Sequence, residues 1–287
     1  MTRSVDKTPK CLLVIYILVF IAVIATVAAT SYLPGQEKLL RRLTIESGPY
    51  EIASAFTVIL LALYATALVS VKSWWHPISP AYRPLGIAMA IAAFLVAGEE
   101  LSYGQHLLGF SSPELFDEYN LQSETNLHNF VSGRYLTGFL NSSVYSFFIF
   151  LPCLYRLRPD LFDRIPRITA FALPLLPSMH VTLMMSFSAS LHPYFLATST
   201  TDTLGHICGM TAILIVICVR PQWRTTAHVI HWLAVLLATL FFMLNTHVFR
   251  FLNMQAEIRE FIVILAGSIW FFEWTQKMRS GDVKPTD

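Results

Sequence analysis

The sequence predicts an all-α integral membrane protein, on two observations. Of its 287 residues, 55% are hydrophobic and only 13% are charged, whereas soluble domains carry about 25% charged residues. The mean hydropathy is +0.56, and apolar stretches of about 20 residues, long enough to cross a bilayer as a helix, recur along the chain. Membrane lipids are therefore the predicted partners. A net charge of only +2 gives no indication of a nucleic-acid partner.

Eight stretches have the length and apolar character of transmembrane helices, or nearly so. They are predicted at about 11–33, 49–71, 84–105, 135–155, 168–189, 203–219, 227–247 and 257–275. The first apolar run is longer than the core of a cleaved signal peptide, so we expect it to be retained. No internal repeat is visible, and we predict a single membrane domain over residues 1–287.

The basic residues predict the orientation, because Lys and Arg collect in the cytoplasmic loops of membrane proteins. With the N-terminus in the cytoplasm, 14 of the 20 Lys and Arg residues fall on the cytoplasmic side of the eight spans. An even number of spans then places the C-terminus in the cytoplasm as well.

The third predicted span carries two adjacent carboxylates, Glu99 and Glu100, near its outer end. Ionisable side chains are expensive inside a bilayer and by default mark functional sites there, so both are predicted to be catalytic. Positions seven apart share a helix face, which places Glu99 on the same face as His106. Since neighbouring helical residues point about 100° apart, we expect Glu99 rather than Glu100 to line a cavity.

Acid–histidine pairs four residues apart recur at the predicted outer membrane face. Glu124 and His128 form one pair, and Asp202 and His206 form another. A carboxylate and an imidazole at this spacing can chelate one cation. Together with His106, these four residues are the predicted ligands of a zinc or iron ion. Each pair equally fits a surface or capping pair, and Asp202 could simply cap the sixth span.

The segment 106–133 is too polar to span a membrane, yet its apolar residues recur at helical spacing. We predict a re-entrant or interfacial helical segment here, between the third and fourth spans. Irregular backbone at membrane depth must be covered by protein or line a wet cavity, so we expect a polar cavity open to the outer leaflet. Gln105, Asn126 and Asn129 are predicted to bind substrate there, although both asparagines equally fit helix caps.

The runs GEELSYGQHLLGF and ETNLHN, within Ala97–Asn129, resemble a block in a family of bacterial polytopic inner-membrane proteins of uncharacterised activity. The resemblance covers this block alone and implies a location in a bacterial inner membrane. It implies no particular reaction. The positions to which it points are Glu99, Glu100, Gly104, Gln105, Glu124, Asn126, His128 and Asn129.

Three further histidines lie outside this block. His180 falls near the middle of the fifth predicted span, close to Pro174 and Pro177. It fits a proton path, and it equally fits a core histidine bonded to a carbonyl that a proline leaves free. His228 and His231 fall at the cytoplasmic end of the seventh span, away from the predicted outer-face ligands.

Three functions stay open on the sequence. The first is a metal-dependent hydrolase or oxygenase acting on a lipid or lipid-linked substrate at the outer leaflet. The second is a proton-coupled transporter or flippase that uses Glu99 and Glu100 as its protonation switch, with His180 on the proton path. The third is a non-catalytic membrane scaffold. The sequence has no P-loop, GxSxG or HExxH motif, which argues against ATP hydrolysis.

Overall fold

A computed structural model describes residues 10–32, 49–70, 83–102, 105–119, 141–164, 173–191, 200–244 and 254–279. Within these ranges the backbone is helical apart from short connections, and it contains no β-strand. The predicted all-α fold class is therefore confirmed. The α-helices discussed below are α1 (Lys10–Tyr32), α2 (Pro49–Ser70), α3 (Arg83–Glu100), α4 (Gln105–Leu108), α5 (Glu114–Tyr119), α6 (Leu151–Leu157), α7 (Pro159–Asp163), α8 (Met179–Ser190), α9 (Thr200–Val219), α10 (Thr226–Leu244) and α11 (Met254–Arg279).

Five of the predicted spans coincide with long helices. The first, second, sixth, seventh and eighth correspond to α1, α2, α9, α10 and α11, with ends that differ by a few residues. Among the described residues, α2 and α10 are the two helices long and apolar enough to cross a membrane, by length and composition. The eight-span topology goes beyond this finding and is taken up as a proposal below.

The third predicted span ends earlier than expected. α3 stops at Glu100, and a separate short helix, α4, begins at Gln105. Between them Ser102 adopts a left-handed backbone conformation with a φ of 44°, which cannot continue a right-handed helix. The prediction that Glu99 and His106 share one helix face is therefore wrong, because they lie on two different helices.

α8 is shorter than the fifth predicted span, 168–189. The described chain enters it through a 3-10 turn, Leu173–Leu175, and becomes α-helical only at Met179. Pro177 explains the late start, since proline lacks an N–H and disfavours the α conformation in the residue before it. With 12 residues the helix rises about 18 Å, well short of a hydrocarbon core roughly 30 Å thick. His180 therefore lies in the first turn of a helix rather than near the middle of a span.

α10 exposes an apolar face and buries two histidines. Leu233, Leu237 and Leu240 are exposed and recur at helical spacing, while His228 and His231 are buried. Helices of soluble proteins show the reverse pattern, and large exposed apolar faces mark contacts with membranes or partner proteins. This is the arrangement expected of a helix whose outer face meets lipid.

The described contacts divide the chain into two compact units. Unit 1 comprises Met1–Tyr50 and Asn141–Trp274, and unit 2 comprises Glu51–Leu140 and Thr275–Asp287. Unit 1 contains α8 and α10. Unit 2 contains α3 with the predicted catalytic Glu99, followed by α4 and α5. The single membrane domain stays a prediction from the sequence.

The core of unit 1 is built around α8. Every side chain from Met179 to Ser190 is buried, and the helix packs against α9, α10 and a π-helical turn, Ser146–Phe150. This turn directly precedes α6, close to Pro152. In a regular α-helix the proline ring would clash with the carbonyl four residues earlier, and the wider π turn changes the backbone at that position.

Two glycines allow α9 to approach its neighbours closely. A Cβ atom at Gly209 would lie 2.7 Å from Ile149 Cγ2 and 3.0 Å from Ser186 Oγ. A Cβ atom at Gly205 would lie 3.0 Å from the ring of Tyr145. The two glycines form a GxxxG pair, the spacing that brings helices together in membranes. We expected no GxxxG pair within a predicted span, and this expectation was wrong, because both glycines lie in the sixth span, 203–219.

Gly209→Ala is expected to lower the free energy of unfolding by about 1–3 kcal/mol, because the added methyl group overpacks the contact with Ile149 and Ser186. Gly267→Ala is the matched control. Apart from its own helix backbone, no atom of the described residues lies within 4 Å of its Cβ position, so helix propensity should give a gain of about 0.5–1 kcal/mol. Denaturation in detergent micelles measures both variants, and equal effects would contradict the close approach at Gly209.

Candidate functional site: a buried histidine cluster

Three buried histidines meet inside unit 1, and we call them the histidine cluster: His180, His228 and His231. His180 comes from the first turn of α8, and the other two come from α10. Their spacing of three residues places His228 and His231 on one face of α10. Each side chain is no more than 3% exposed. Imidazoles are seldom kept so far from water without a structural or functional reason.

The histidines are in direct contact. The Nδ1 atoms of His180 and His231 lie 2.8 Å apart, within hydrogen-bonding distance. Their rings are nearly parallel, with centroids 5.1 Å apart, and the ring of His228 lies 4.7 Å from that of His180. From α1, Tyr16 stacks on His180 at 5.4 Å, and Phe20 meets His231 edge-on at 5.3 Å. The imidazoles are thus enclosed by aromatic rings.

Hydrogen bonding restricts the protonation states of the cluster. A contact between two Nδ1 atoms needs one N–H donor and one bare acceptor, so the His180–His231 pair holds either two or three protons on its four nitrogens. The pair is therefore neutral or carries one positive charge. The Nε2 atom of His231 is buried and has no hydrogen-bond partner among the described residues.

His228 is held by a different contact. Its Nδ1 lies 2.8 Å from the carbonyl oxygen of Trp223, so Nδ1 carries a hydrogen and donates it to that carbonyl. The ring of Trp223 also lies 4.9 Å from the guanidinium carbon of Arg156, a distance suited to a cation–π contact. His228 is in this way connected to a buried cation.

Charged and polar groups form hydrogen bonds at the N-terminus of α8, next to His180. Arg156 Nη2 donates a hydrogen bond to the carbonyl of Pro177 at 2.7 Å. Ser178 caps the helix, because its Oγ accepts a hydrogen bond from Val181 N–H at 3.2 Å. The same hydroxyl donates its hydrogen to Glu273 Oε1 on α11 at 3.1 Å. Glu273 is 6% exposed, and among the described residues it is the one acidic side chain that is buried.

A fourth buried histidine, His206 on α9, contacts α8 about two turns beyond His180. Its Nδ1 is 2.6 Å from the carbonyl oxygen of Ser186 and 3.3 Å from the Ser186 hydroxyl. The short contact identifies Nδ1 as the donor, which leaves the lone pair on Nε2. A histidine that binds a metal through Nε2 is commonly oriented by such a bond to a backbone carbonyl.

The structure describes only part of the site predicted from the sequence. Glu99 lies at the end of α3 in unit 2, and its side chain is half-buried. Gln105 Nε2 donates a hydrogen bond to Ser112 Oγ at 2.9 Å, a contact that joins α4 to the start of α5. The backbones of Glu100, His106 and Asp202 are helical, but their side chains fall outside the described part of the structure, and Glu124, Asn126, His128 and Asn129 lie wholly outside it.

The predicted zinc or iron ion stays a prediction. Among the side chains that the structure describes, no three from His, Cys, Asp or Glu are arranged to hold a metal ion. This holds for the histidine cluster, in which two Nδ1 atoms face each other at hydrogen-bonding distance instead of pointing at a common centre. Of the five proposed ligands, only His206 has a side chain that the structure describes. The other four are His106, Glu124, His128 and Asp202.

Glu273 was not predicted, although the sequence carries a signal for it. It lies within the eighth predicted span, between aromatic residues in the run WFFEW. A carboxylate inside an apolar span is the same signal that drew attention to Glu99 and Glu100. The contact between His180 and the histidines of α10 has no comparable signal, because it depends on how two helices 51 positions apart pack together.

The fold and the site together define an all-helical protein with a buried imidazole cluster in its core. Comparison with known proteins adds no family to this description. No protein-family model, no curated protein and no solved structure matches the chain. The resemblance of Ala97–Asn129 to a bacterial inner-membrane family therefore stays a prediction.

The shared hydrogen bond predicts a non-additive pair of substitutions. His180→Leu and His231→Leu should each lower the free energy of unfolding by about 1–3 kcal/mol, since each leaves the other imidazole buried and unsatisfied. The double variant should cost less than the sum of the two. His206→Leu combined with His231→Leu is the control, because His206 bonds to Ser186, six residues along α8 from His180, and the effects of separate sites should add. Denaturation in detergent measures these variants together with His206→Leu alone, five in all, and additivity at His180 and His231 would refute the shared bond.

Proposed function

We propose that the chain is a multi-pass protein of a bacterial inner membrane that uses the histidine cluster to move protons in a proton-coupled transport cycle. A membrane location is supported by α2 and α10, which are long and apolar enough to cross a bilayer. The exposed leucines of α10 and the hydrophobic composition support it too. From the distribution of Lys and Arg we propose eight spans, with both termini in the cytoplasm.

One observation carries the proposal: the contact between His180 and His231 inside an apolar helical bundle. Ionisable side chains within membrane helices are rare, and those that occur commonly belong to ion paths or proton relays. Histidine is the side chain that gains and loses a proton near neutral pH. Two such groups from different helices, at 2.8 Å, can exchange a proton as well as hold one.

The contact provides a route for the proton. In the charged pair, one imidazole is protonated on both nitrogens and donates its Nδ1 hydrogen to the bare Nδ1 of the other. When that hydrogen crosses, the positive charge moves to the second ring while the ring atoms stay in place. A proton taken up at Nε2 of one histidine is thus balanced by a proton released from Nε2 of the other. His231 Nε2, buried and without a hydrogen-bond partner among the described residues, is one end of this route.

Proton flux into reconstituted vesicles tests the proposal. We expect wild-type proteoliposomes loaded with a pH-sensitive dye to acidify under an inward proton gradient, with potassium and valinomycin clamping the membrane potential. His180→Gln and His231→Gln should each lower the rate by about 10²-fold, the usual contribution of a well-placed proton-transfer group. Asp163→Asn, an exposed position, is the control and should leave the rate unchanged. The proposed relay passes protons through the histidine pair whether or not a co-substrate is bound, so a wild-type rate equal to that of protein-free vesicles would overturn the proposal.

A second function, the metal-dependent hydrolase or oxygenase acting on a lipid, is favoured by one contact. The bond from His206 Nδ1 to the carbonyl of Ser186 leaves Nε2 as the ligating nitrogen, which is the orientation seen in metal sites. The remaining ligands of that proposal come from the sequence alone. Metal-bound water with a lowered pKa would be its nucleophile.

Metal analysis distinguishes the two functions. If the second is correct, detergent-purified wild-type protein prepared without chelators should contain zinc or iron in stoichiometric amount by mass spectrometry. His206→Ala and the double variant Glu124→Ala/His128→Ala should each lose the metal, because all three side chains are proposed ligands. Gly267→Ala, far from every proposed ligand in sequence, should keep it. Metal-free wild-type protein would exclude the metalloenzyme.

A further inference from the structure

Glu273 is a buried carboxylate with a defined partner and no role in the proton route described so far. Burying a carboxylate is costly unless it is hydrogen-bonded or balanced by opposite charge. Its Oε1 accepts the hydrogen of the Ser178 hydroxyl at 3.1 Å. Ser178 in turn precedes His180 by two residues and caps the helix that carries it.

The hydroxyl of Ser178 makes two hydrogen bonds that depend on each other. It accepts the backbone N–H of Val181, and it donates to Glu273. An acceptor at Glu273 fixes the direction of the hydroxyl hydrogen, which turns a lone pair of Oγ toward the helix. Charge-assisted bonds of this kind are about twice as strong as neutral ones. The first turn of α8, and with it the ring of His180, is thereby held in one position against α10.

The charges around the N-terminus of α8 also affect the protonation of the histidine pair. Charged and titratable groups face α8 from the elements around it: Arg156 from α6 at Pro177, His228 and His231 from α10, Tyr16 from α1, Glu273 from α11 at Ser178, and His206 from α9 at Ser186. Arg156 is a buried cation bonded to the carbonyl of Pro177, and Glu273 is a buried carboxyl group bonded to Ser178. Proton uptake by the pair adds a positive charge, and Glu273, the one buried acidic side chain of the described ranges, can supply the negative charge that favours it.

We infer that Glu273 is the positioning residue of the proton relay: through Ser178 it holds His180 against His231, and its negative charge favours the protonated pair. This inference rests on the proposed function. It assigns to Glu273 no contact with the moving proton. It predicts that the charge and the reach of the side chain both matter, which a purely structural hydrogen bond would not require.

The proteoliposome assay tests this with five variants measured between pH 5.5 and 8. Glu273→Gln keeps an oxygen acceptor for Ser178 and removes the charge. We expect its flux at pH 7 to fall about tenfold, with the pH profile displaced by about one unit toward acid. Ser178→Ala should lower the flux, and Ser178→Thr should restore it, because threonine keeps the hydroxyl. Glu260→Gln, an exposed glutamate of the same helix, should match the wild type, and His180→Gln should abolish the flux.

The possible outcomes distinguish the role of Glu273 from the proposed function itself. Wild-type rate and pH profile in Glu273→Gln, together with lost flux in His180→Gln, would overturn the role of Glu273 and leave the relay intact. Unchanged flux in His180→Gln would overturn the proposed function itself. If Glu273→Gln fails to fold, as judged by its unfolding transition in detergent, Glu273→Asp takes its place. Asp keeps the charge but is one methylene shorter, so we expect reduced flux, and a wild-type rate would refute the inference.

Discussion

The structure of unit 1 depends on how one fully buried helix satisfies its polar side chains. α8 has no exposed face, yet a hydroxyl recurs at every fourth position from Ser178 to Ser190. Each unsatisfied hydroxyl would cost about 1–3 kcal/mol. The helix meets this constraint partly within itself: Thr182 donates to the carbonyl of Ser178 at 2.9 Å, and Ser190 donates to that of Phe187 at 2.7 Å. Ser188 likewise donates to the carbonyl of Met185 at 2.7 Å, while the partners of Ser178 and Ser186 come from neighbouring helices.

Those neighbours explain why charged residues occur in such an apolar chain. The capping hydroxyl of Ser178 occupies the N–H of Val181, which in a longer helix would have bonded to the carbonyl of Pro177. Arg156 satisfies that carbonyl instead. Glu273 satisfies the capping hydroxyl. The break in hydrogen bonding before α8 is thus satisfied by a buried arginine and a buried glutamate from two other helices, at Pro177 and Ser178, just before His180.

The sequence predicted the helical class and most helix positions well, because long apolar runs are a local signal. It failed where one backbone position decided the outcome. The left-handed Ser102 divides the third predicted span, and Pro177 delays the start of α8; neither effect changes the apolar pattern on which the spans were based. The candidate site was predicted on the chain segment around Glu99, since ionisable residues stand out there. The histidine cluster joins α8 to α10, and no spacing within either helix indicates that contact.

The late start of α8 has an electrostatic consequence. In the proposed membrane setting, a helix that begins at Met179 brings the positive end of its aligned peptide dipoles, about half an elementary charge, into the protein interior rather than to the membrane surface. Membrane transporters place such interrupted helices around their substrates. Here the positive end of the helix lies near the carboxylate of Glu273, and the helix begins one residue before His180. The backbone itself therefore opposes a resident positive charge on that ring, which suits a group that must release each proton it accepts.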